Sequence, residues 1–372
     1  MHIDQIRVLY LAMPRRTVET FGTRRLTTSE TVLVGMSSGG VTGWGEACPG
    51  TVPGGSSEWA HGAFLCLKEW LAPELLGTDL PSGQALQDRL AHVAGNAAGK
   101  AALDVAWWNL KAETEGRPLA QLLGSSLSDV PLESVFGVFP SIDELLVQVN
   151  AALAEGRQAI GLKLRAGWAL EVIRALRQTT NNIPLWVDAD GLCTLDQRDL
   201  FYRLDDFDLE RVEQPLAPDD LVGHAMLQQS SRTPIALDQS ITSAGRLEQA
   251  IDLESCRQVR LNPQRLGGIT PLLSLAAACR QAQSALTCLL GLNEQTAIGL
   301  HACLSLAAAG ICTGPVDFAP LDPAWGDLAG HFSPTRNAAG QAVIAAAEIA
   351  VPSPAPSRVS LEKFSMAQAM LA

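Results

Sequence analysis

The chain has 372 residues, 47% of them hydrophobic and 18% charged, which is ample for a large buried core and gives no case for disorder. That length suits two domains, or one barrel with a smaller partner. A net charge of −12 argues against a nucleic-acid binder, which needs a basic face for phosphates, although a local Arg cluster or a metal ion still permits an anionic substrate.

Residues 1–10 alternate polar and apolar side chains, as a strand does, so no secretory signal is expected. Residues 2–11 and 30–36 read as strands, with Gly39-Gly40 and Gly43-Trp44-Gly45 as hairpin punctuation. Residues 14–28, PRRTVETFGTRRLTT, are polar and Arg-rich and read as a loop. A loop of that length is uncommon in a compact domain unless it is functional or disordered. Helical periodicity follows, strongest over Ala97–Glu115, and stops at Gly116-Arg117-Pro118. Strands first and helices afterwards predict an N-terminal α+β capping domain over residues 1–125.

From residue 130 the rhythm changes to short apolar runs alternating with amphipathic helices. The runs are 133–139, 159–164, 184–187, 209–212, 234–237, 256–261 and 285–290, with a weaker eighth near 310–318. Such alternation implies right-handed parallel βαβ units, and eight of them a closed (β/α)8 TIM-type barrel over residues 130–340. An open doubly wound sheet is the alternative; it is disfavoured because no Gly-rich dinucleotide loop follows the first strand. The least charged stretch, 285–312, is interrupted by Asn293, Glu294, Gln295 and His301, so a buried strand and helix is a better reading than a membrane span. Residues 341–372 are Pro/Ser/Ala-rich and are expected to pack back on the cap. The eight cysteines (48, 66, 193, 256, 279, 288, 303, 312) show neither CxxC nor Cys/His ligand spacing, which fits reduced thiols in a cytoplasmic protein.

The chemistry lies at the predicted strand ends. Lys163, Asp188, Glu213 and Asp238 close the runs IGLK, PLWVD, ERVE and PIALD at a constant interval of 25 residues. One βα unit is about that long, so all four recur at the same end of successive strands, the C-terminal face where barrels of this kind build their sites. Three carboxylates aimed at one spot would repel each other unless a hard divalent cation joined them. Mg²⁺ is the expected ion, with Mn²⁺ as the alternative, and no organic cofactor is expected. Taken singly, each acid also reads as a cap for the helix after its strand. Strand alternation adds partners: Arg165 shares a face with Lys163, Asp190 with Asp188, and Arg260 with Asn262. Glu294, after the seventh run, either reaches the barrel mouth or caps a helix.

These residues resemble the enolase superfamily, and within it the muconate-lactonizing branch, nearest the o-succinylbenzoate synthase and N-succinylamino acid racemase group. The likeness runs through GWGEACPG (43–50), GNAAGKAALDVAWWNLKAETEGRPLAQLLG (95–124), GLKLR (161–165), VDADG (187–191), VEQPLAPDDLVGHA (212–225), TPIALDQSI (233–241) and LNPQRLGG (261–268). It implies a capping domain on a modified barrel and Mg²⁺-assisted formation of an enolate α to a carboxylate. It also implies Asp188, Glu213 and Asp238 as the metal ligands. The acid/base positions depart from the family pattern. The second Lys of the family's Lys-x-Lys is Arg165, the sixth-strand Lys is Asn262, the Glu after the third ligand is Gln239, and the Asn of the DAN motif is Asp190. Exchanging a charged Lys–Glu pair for Asn262 and Gln239 keeps polarity and removes both charges, which suggests a coordinated change of chemistry; drift after loss of activity is the alternative.

Racemisation needs proton exchange on both faces of the α-carbon, and a guanidinium keeps its proton. Lys163 is the sole lysine between residues 112 and 362, so a single-base elimination is easier to build. The expectation is therefore a lyase acting on a small carboxylate, with Lys163 as base and Asp190 as second candidate. An N-acylamino acid racemase-type isomerase and a catalytically silent, metal- and anion-binding homologue are the alternatives. Like charge from Mg²⁺ and Arg165 is expected to depress the pKa of Lys163. Arg165, Asn262, Glu294 and Arg24 are the expected substrate contacts, with Arg15, Arg16, Arg24 and Arg25 facing an anionic distal group from a segment closing over the mouth. A homo-oligomer is expected, without nucleic-acid or membrane partners.

Overall fold

The structure is a computed structural model, and it describes all residues except 125, 166–168, 181–182 and 283–285. Ser125, the last residue of the expected cap, and Ala285, the first of the expected seventh run, therefore lie outside the described residues.

The cap is a four-stranded antiparallel sheet of β1 (Gln5–Phe21), β2 (Arg24–Ser38), β3 (Val41–Ala47) and a strand from the far end of the chain. Its inner face carries Ile6, Val8, Val32, Val34 and Met36 against the helix Ala97–Glu115, which buries Leu103, Ala106, Trp107 and Leu110 in return. The helix ends where the sequence stops it, at Gly116 in the left-handed region (φ 60°). Gly43 and Gly45 explain the GWGEA motif. A Cβ at either position would run into the backbone of that helix, at Leu110 and Ala102 respectively, so only glycine lets β3 lie this close.

The barrel strands are β4 (Val130–Phe136), β5 (Ile160–Lys163), β6 (Leu185–Asp188), β7 (Val212–Glu213), β8 (Ile235–Leu237), β9 (Gln258–Leu261), β10 (Thr287–Leu290) and β11 (Val316–Asp317). Strands β4 to β10 pair in chain order, each parallel to the next, and β11 pairs with β4. Helices cover the outside, and leucines, isoleucines and valines from both layers fill one continuous core. Beyond the barrel, β12 (Thr335–Arg336) and β13 (Ala342–Ile344) extend the barrel sheet at β4, whereas β14 (Ser365–Leu371) crosses over to pair with β1.

Residues 14–28 differ from the expected loop. They are the distal half of the β1–β2 hairpin, turning at Gly22-Thr23, with an irregularity between Pro14 and Glu19 that lets the strands bend without parting. The hairpin leans on the barrel: Trp325 donates its indole N–H to Pro14 O at 2.8 Å, and Arg16 pairs with Asp322 at 3.3 Å.

Among the described residues no helix is long and apolar enough to cross a membrane. The stretch 285–312 instead supplies β10 and the helix Ala297–Ala308. On that helix His301 is buried, its Nε2 is 3.2 Å from the carbonyls of Ile349 and Val351, and its Nδ1 has no partner among the described residues. Burial pushes its pKa down to about 4, outweighing the two carbonyls. The unfolded chain protonates His301 near its ordinary value of 6.5, so the stability that a neutral His301 supports is complete above that pH. It is lost as pH falls toward 4, by about 3 kcal/mol. Urea unfolding of native protein and His301→Gln should therefore diverge at neutral pH and converge on acidification; parallel curves would refute this.

Candidate active site

The strand ends converge at the barrel mouth as the register dictates. Lys163 pairs with Asp188 across β5–β6, and Asp188 with Glu213 across β6–β7. Glu213 lies opposite Ala236, so Asp238 stands two residues further along, one residue beyond β8. Asp188, Glu213 and Asp238 are all buried. Gln214, with φ +38°, turns its amide back so that its Oε1 accepts from the backbone N–H groups of Asp238 and Ser240, which fixes the third carboxylate.

Each carboxylate already has a cation. Lys163 Nζ donates to Asp188 Oδ2 at 2.6 Å and to Asp190 Oδ1 at 2.8 Å. Asp190 sits in the left-handed region (φ +51°) directly before Gly191, and its Oδ2 is 3.7 Å from the guanidinium of Arg165, a side chain 41% exposed. Glu213 accepts from Arg260 Nε at 2.8 Å and lies 3.4 Å from Arg211 Nε. Asp238 is held by both terminal nitrogens of Arg265, at 2.7 and 3.1 Å. Because each acid turns toward its own cation, no group of three His, Cys, Asp or Glu side chains forms a metal cage among the described residues.

The donor chemistry nevertheless suits a hard divalent ion. Burial, and then the charge of Glu213, push the Asp188 carboxyl up to about 6 even with Lys163 attached. Crowding of this kind is what a divalent cation relieves. Among the protein groups alone, Lys163 is shifted the other way from the expected depression. Burial disfavours its charge, but Asp188 and Asp190 outweigh burial and hold it above its ordinary value.

The remaining expected contacts separate. Asn262 caps the short helix Pro263–Leu266 through Gln264 N–H and donates to Asn293 Oδ1 at 2.6 Å. It does not bond Gln239, whose Oε1 has no partner among the described residues, although both line a cavity of ≈ 520 Å³ between cap and barrel. Glu294 does not cap the helix after β10, because Thr296 does; it meets Arg15 of the hairpin at 3.0 Å instead. Arg24, by contrast, lies at the hairpin turn opposite Phe21, exposed, with no side-chain hydrogen bond or ion pair among the described residues.

Glu133, Arg211 and Arg265 lie at the site although no strand-end motif names them. Arg211 was legible in ERVE, since it shares a strand face with Glu213. Glu133 sits inside β4, and only the closed barrel brings it to Arg211.

Residues 144–334 match the family described as enolase C-terminal domain-like, and residues 6–124 match the mandelate racemase / muconate lactonizing enzyme N-terminal domain. The chain belongs to the enolase superfamily. It is 36% identical over 270 residues to an o-succinylbenzoate synthase of Geobacillus kaustophilus, covering 72% of each chain. It is 38% identical over 265 residues to an N-succinylamino acid racemase of Thermus thermophilus, covering 71% of each. In fold it is similar to an enolase-superfamily member from Enterococcus faecalis V583, with a TM-score of 0.88 and 28% identity over 100% of this chain and 99% of the other. Such relatives mark the chain as an enzyme with the superfamily's cap and modified barrel.

Proposed function

We propose that this enzyme is a Mg²⁺-dependent lyase of the o-succinylbenzoate synthase type, removing the proton α to a carboxylate and expelling a β-hydroxyl as water. The observation that carries the reading is Lys163, the barrel's sole lysine, with its Nζ between Asp188 and Asp190 at the mouth. Asp188, Glu213 and Asp238 would hold the metal, whose charge would stabilise the enolate. Taking it up means that these acids exchange their present cations for it.

Arg165, part-exposed and 3.7 Å from Asp190, would offer a planar fork to the substrate carboxylate. Lys163 becomes a base once Asp188 is engaged elsewhere, since one of the two acids keeping it protonated is then gone. It takes the α-proton, the C–H electrons pass into the carboxylate as an enolate, and the enolate expels hydroxide. Lys163 returns the proton to that hydroxide, so the balance is loss of one water. A racemase would need a second proton-exchanging group across the α-carbon, and Asn262, bonded to Asn293, is not one.

The test is to incubate β-hydroxy acids, succinylbenzoate precursors and N-acyl amino acids with the protein and Mg²⁺ in D₂O, following them by NMR. A lyase consumes substrate; a racemase exchanges the α-hydrogen of both enantiomers without loss; a silent homologue does neither. Calorimetric titration with Mg²⁺ should show a site that Glu213→Gln abolishes.

A further inference from the structure

Glu213 is not an open ligand. Arg260 Nε donates to its Oε1 at 2.8 Å, Arg211 Nε lies 3.4 Å from its Oε2, and both guanidiniums also face Glu133 Oε1, at 3.8 and 3.4 Å. Two cations and two anions thus close a square beneath the mouth. The Trp186 indole backs it, with the guanidinium carbons of Arg211 and Arg260 at 3.8 and 5.1 Å from a ring centroid and its N–H on Glu133 at 2.9 Å. The square is neutral. So is the Lys163–Asp188–Asp190–Arg165 group, and so is the Arg265–Asp238 pair. Yet Arg260 Nη2, buried in the barrel and 3.8 Å from Glu133 Oε1, has no hydrogen-bond partner among the described residues. A guanidinium with its donors satisfied would be a settled structural element, whereas this one spends its best contact on Glu213 and leaves another donor unused.

Accordingly, we infer that Arg260 is a built-in cation that competes with the metal for Glu213, so that the ion is taken up only by displacing or repelling this guanidinium. The inference rests on the metal reading above and adds to it a residue that sets metal affinity. Position supports the role: Arg260 lies on β9, two residues before Asn262 and beside β8, whose end carries Asp238, and its Nη1 is anchored on Leu290 O at 2.8 Å. The anchor keeps the positive charge next to Glu213 even when the Nε bond breaks. In so dry a setting like charges repel strongly. Glu133 acts in the opposite direction, because it draws both arginines away from Glu213.

Mn²⁺ binding by calorimetry and electron paramagnetic resonance tests this without turnover. Arg260→Gln should bind Mn²⁺ about tenfold to a hundredfold more tightly than native protein, the scale on which partners of metal ligands act. Arg260→Lys, which keeps the charge, should stay near native. Glu133→Gln, which leaves both arginines to Glu213, should weaken binding by a similar factor. A folded Arg260→Gln with native affinity overturns the inference. If that variant does not fold, unchanged or tighter binding by Glu133→Gln overturns it equally. If native protein and Arg260→Gln both lack Glu213-dependent Mn²⁺ binding, the metal reading itself has failed and the inference falls with it.

Discussion

Lys163→Ala should lower turnover by roughly 10²–10⁴, the usual loss on removing a positioned acid/base group. Metal uptake should survive the change. The side chain is partly exposed and packs in no core cluster, so the fold tolerates its removal. Asp188 would lose its ammonium partner and keep the repulsion of Glu213, which makes it a readier metal ligand. The informative measurement pairs product formation with loss of α-hydrogen into D₂O: both should disappear together in Lys163→Ala. In Arg165→Lys, by contrast, substrate binding should weaken, because a point charge replaces a bidentate fork. Full turnover by Lys163→Ala would shift the role of base to Asp190, the only other acid/base group that touches Lys163 besides Asp188 among the described residues.

Glu46→Ala should cost about 3–5 kcal/mol of stability, the sum of several orphaned buried donors and a cavity. Glu46 is fully buried where the cap meets the barrel. Its carboxylate accepts from Thr31 Oγ1 at 2.7 Å, from Thr296 N–H at 3.0 Å and Oγ1 at 2.7 Å, and from Gly299 N–H at 3.1 Å. Three of those four donors are at the N-terminus of the helix Ala297–Ala308, so a residue of the capping domain completes a barrel helix. Burial raises the pKa of this carboxyl while the donors from Thr296, Thr31 and Gly299 oppose the rise. Glu46→Gln keeps the shape and one acceptor, and should cost less than half as much. Equilibrium urea unfolding distinguishes the two; equal and small losses would show that the cap and barrel do not depend on this joint.

Much of this architecture was readable before folding, for reasons specific to particular residues. The interval of 25 between Lys163, Asp188, Glu213 and Asp238 reflects one βα repeat, and a parallel ladder keeps equivalent positions level. Helix Ala97–Glu115 announced its own end because Gly116 alone tolerates the left-handed turn there. The hairpin over residues 14–28 was hidden because its distal residues face solvent on both sides, so the period of two that betrays a half-buried strand is missing. Arg260 was legible as a neighbour of Asn262, but its partner Glu213 is 47 residues away and Glu133 lies on the first barrel strand. No local pattern links residues that only barrel closure brings together. For the same reason, the separation of Asn262 from Gln239 could not be read from the double substitution.

The pairing of β14 with β1 has a consequence for biosynthesis. Ile6 lies opposite Leu371, so β1 depends for one neighbour on a strand translated 365 residues after it. At about 5–20 residues per second, the free edge of β1 waits roughly 20–70 s for its neighbour. During that interval β1 and β2 can form a hairpin whose unpaired side offers backbone donors and acceptors to any passing strand. The barrel helices can assemble on the emerging chain meanwhile. Closure of the cap therefore waits for β14, and a chain truncated before residue 365 should be far more susceptible to capture by chaperones, or by other copies, than one that includes β14.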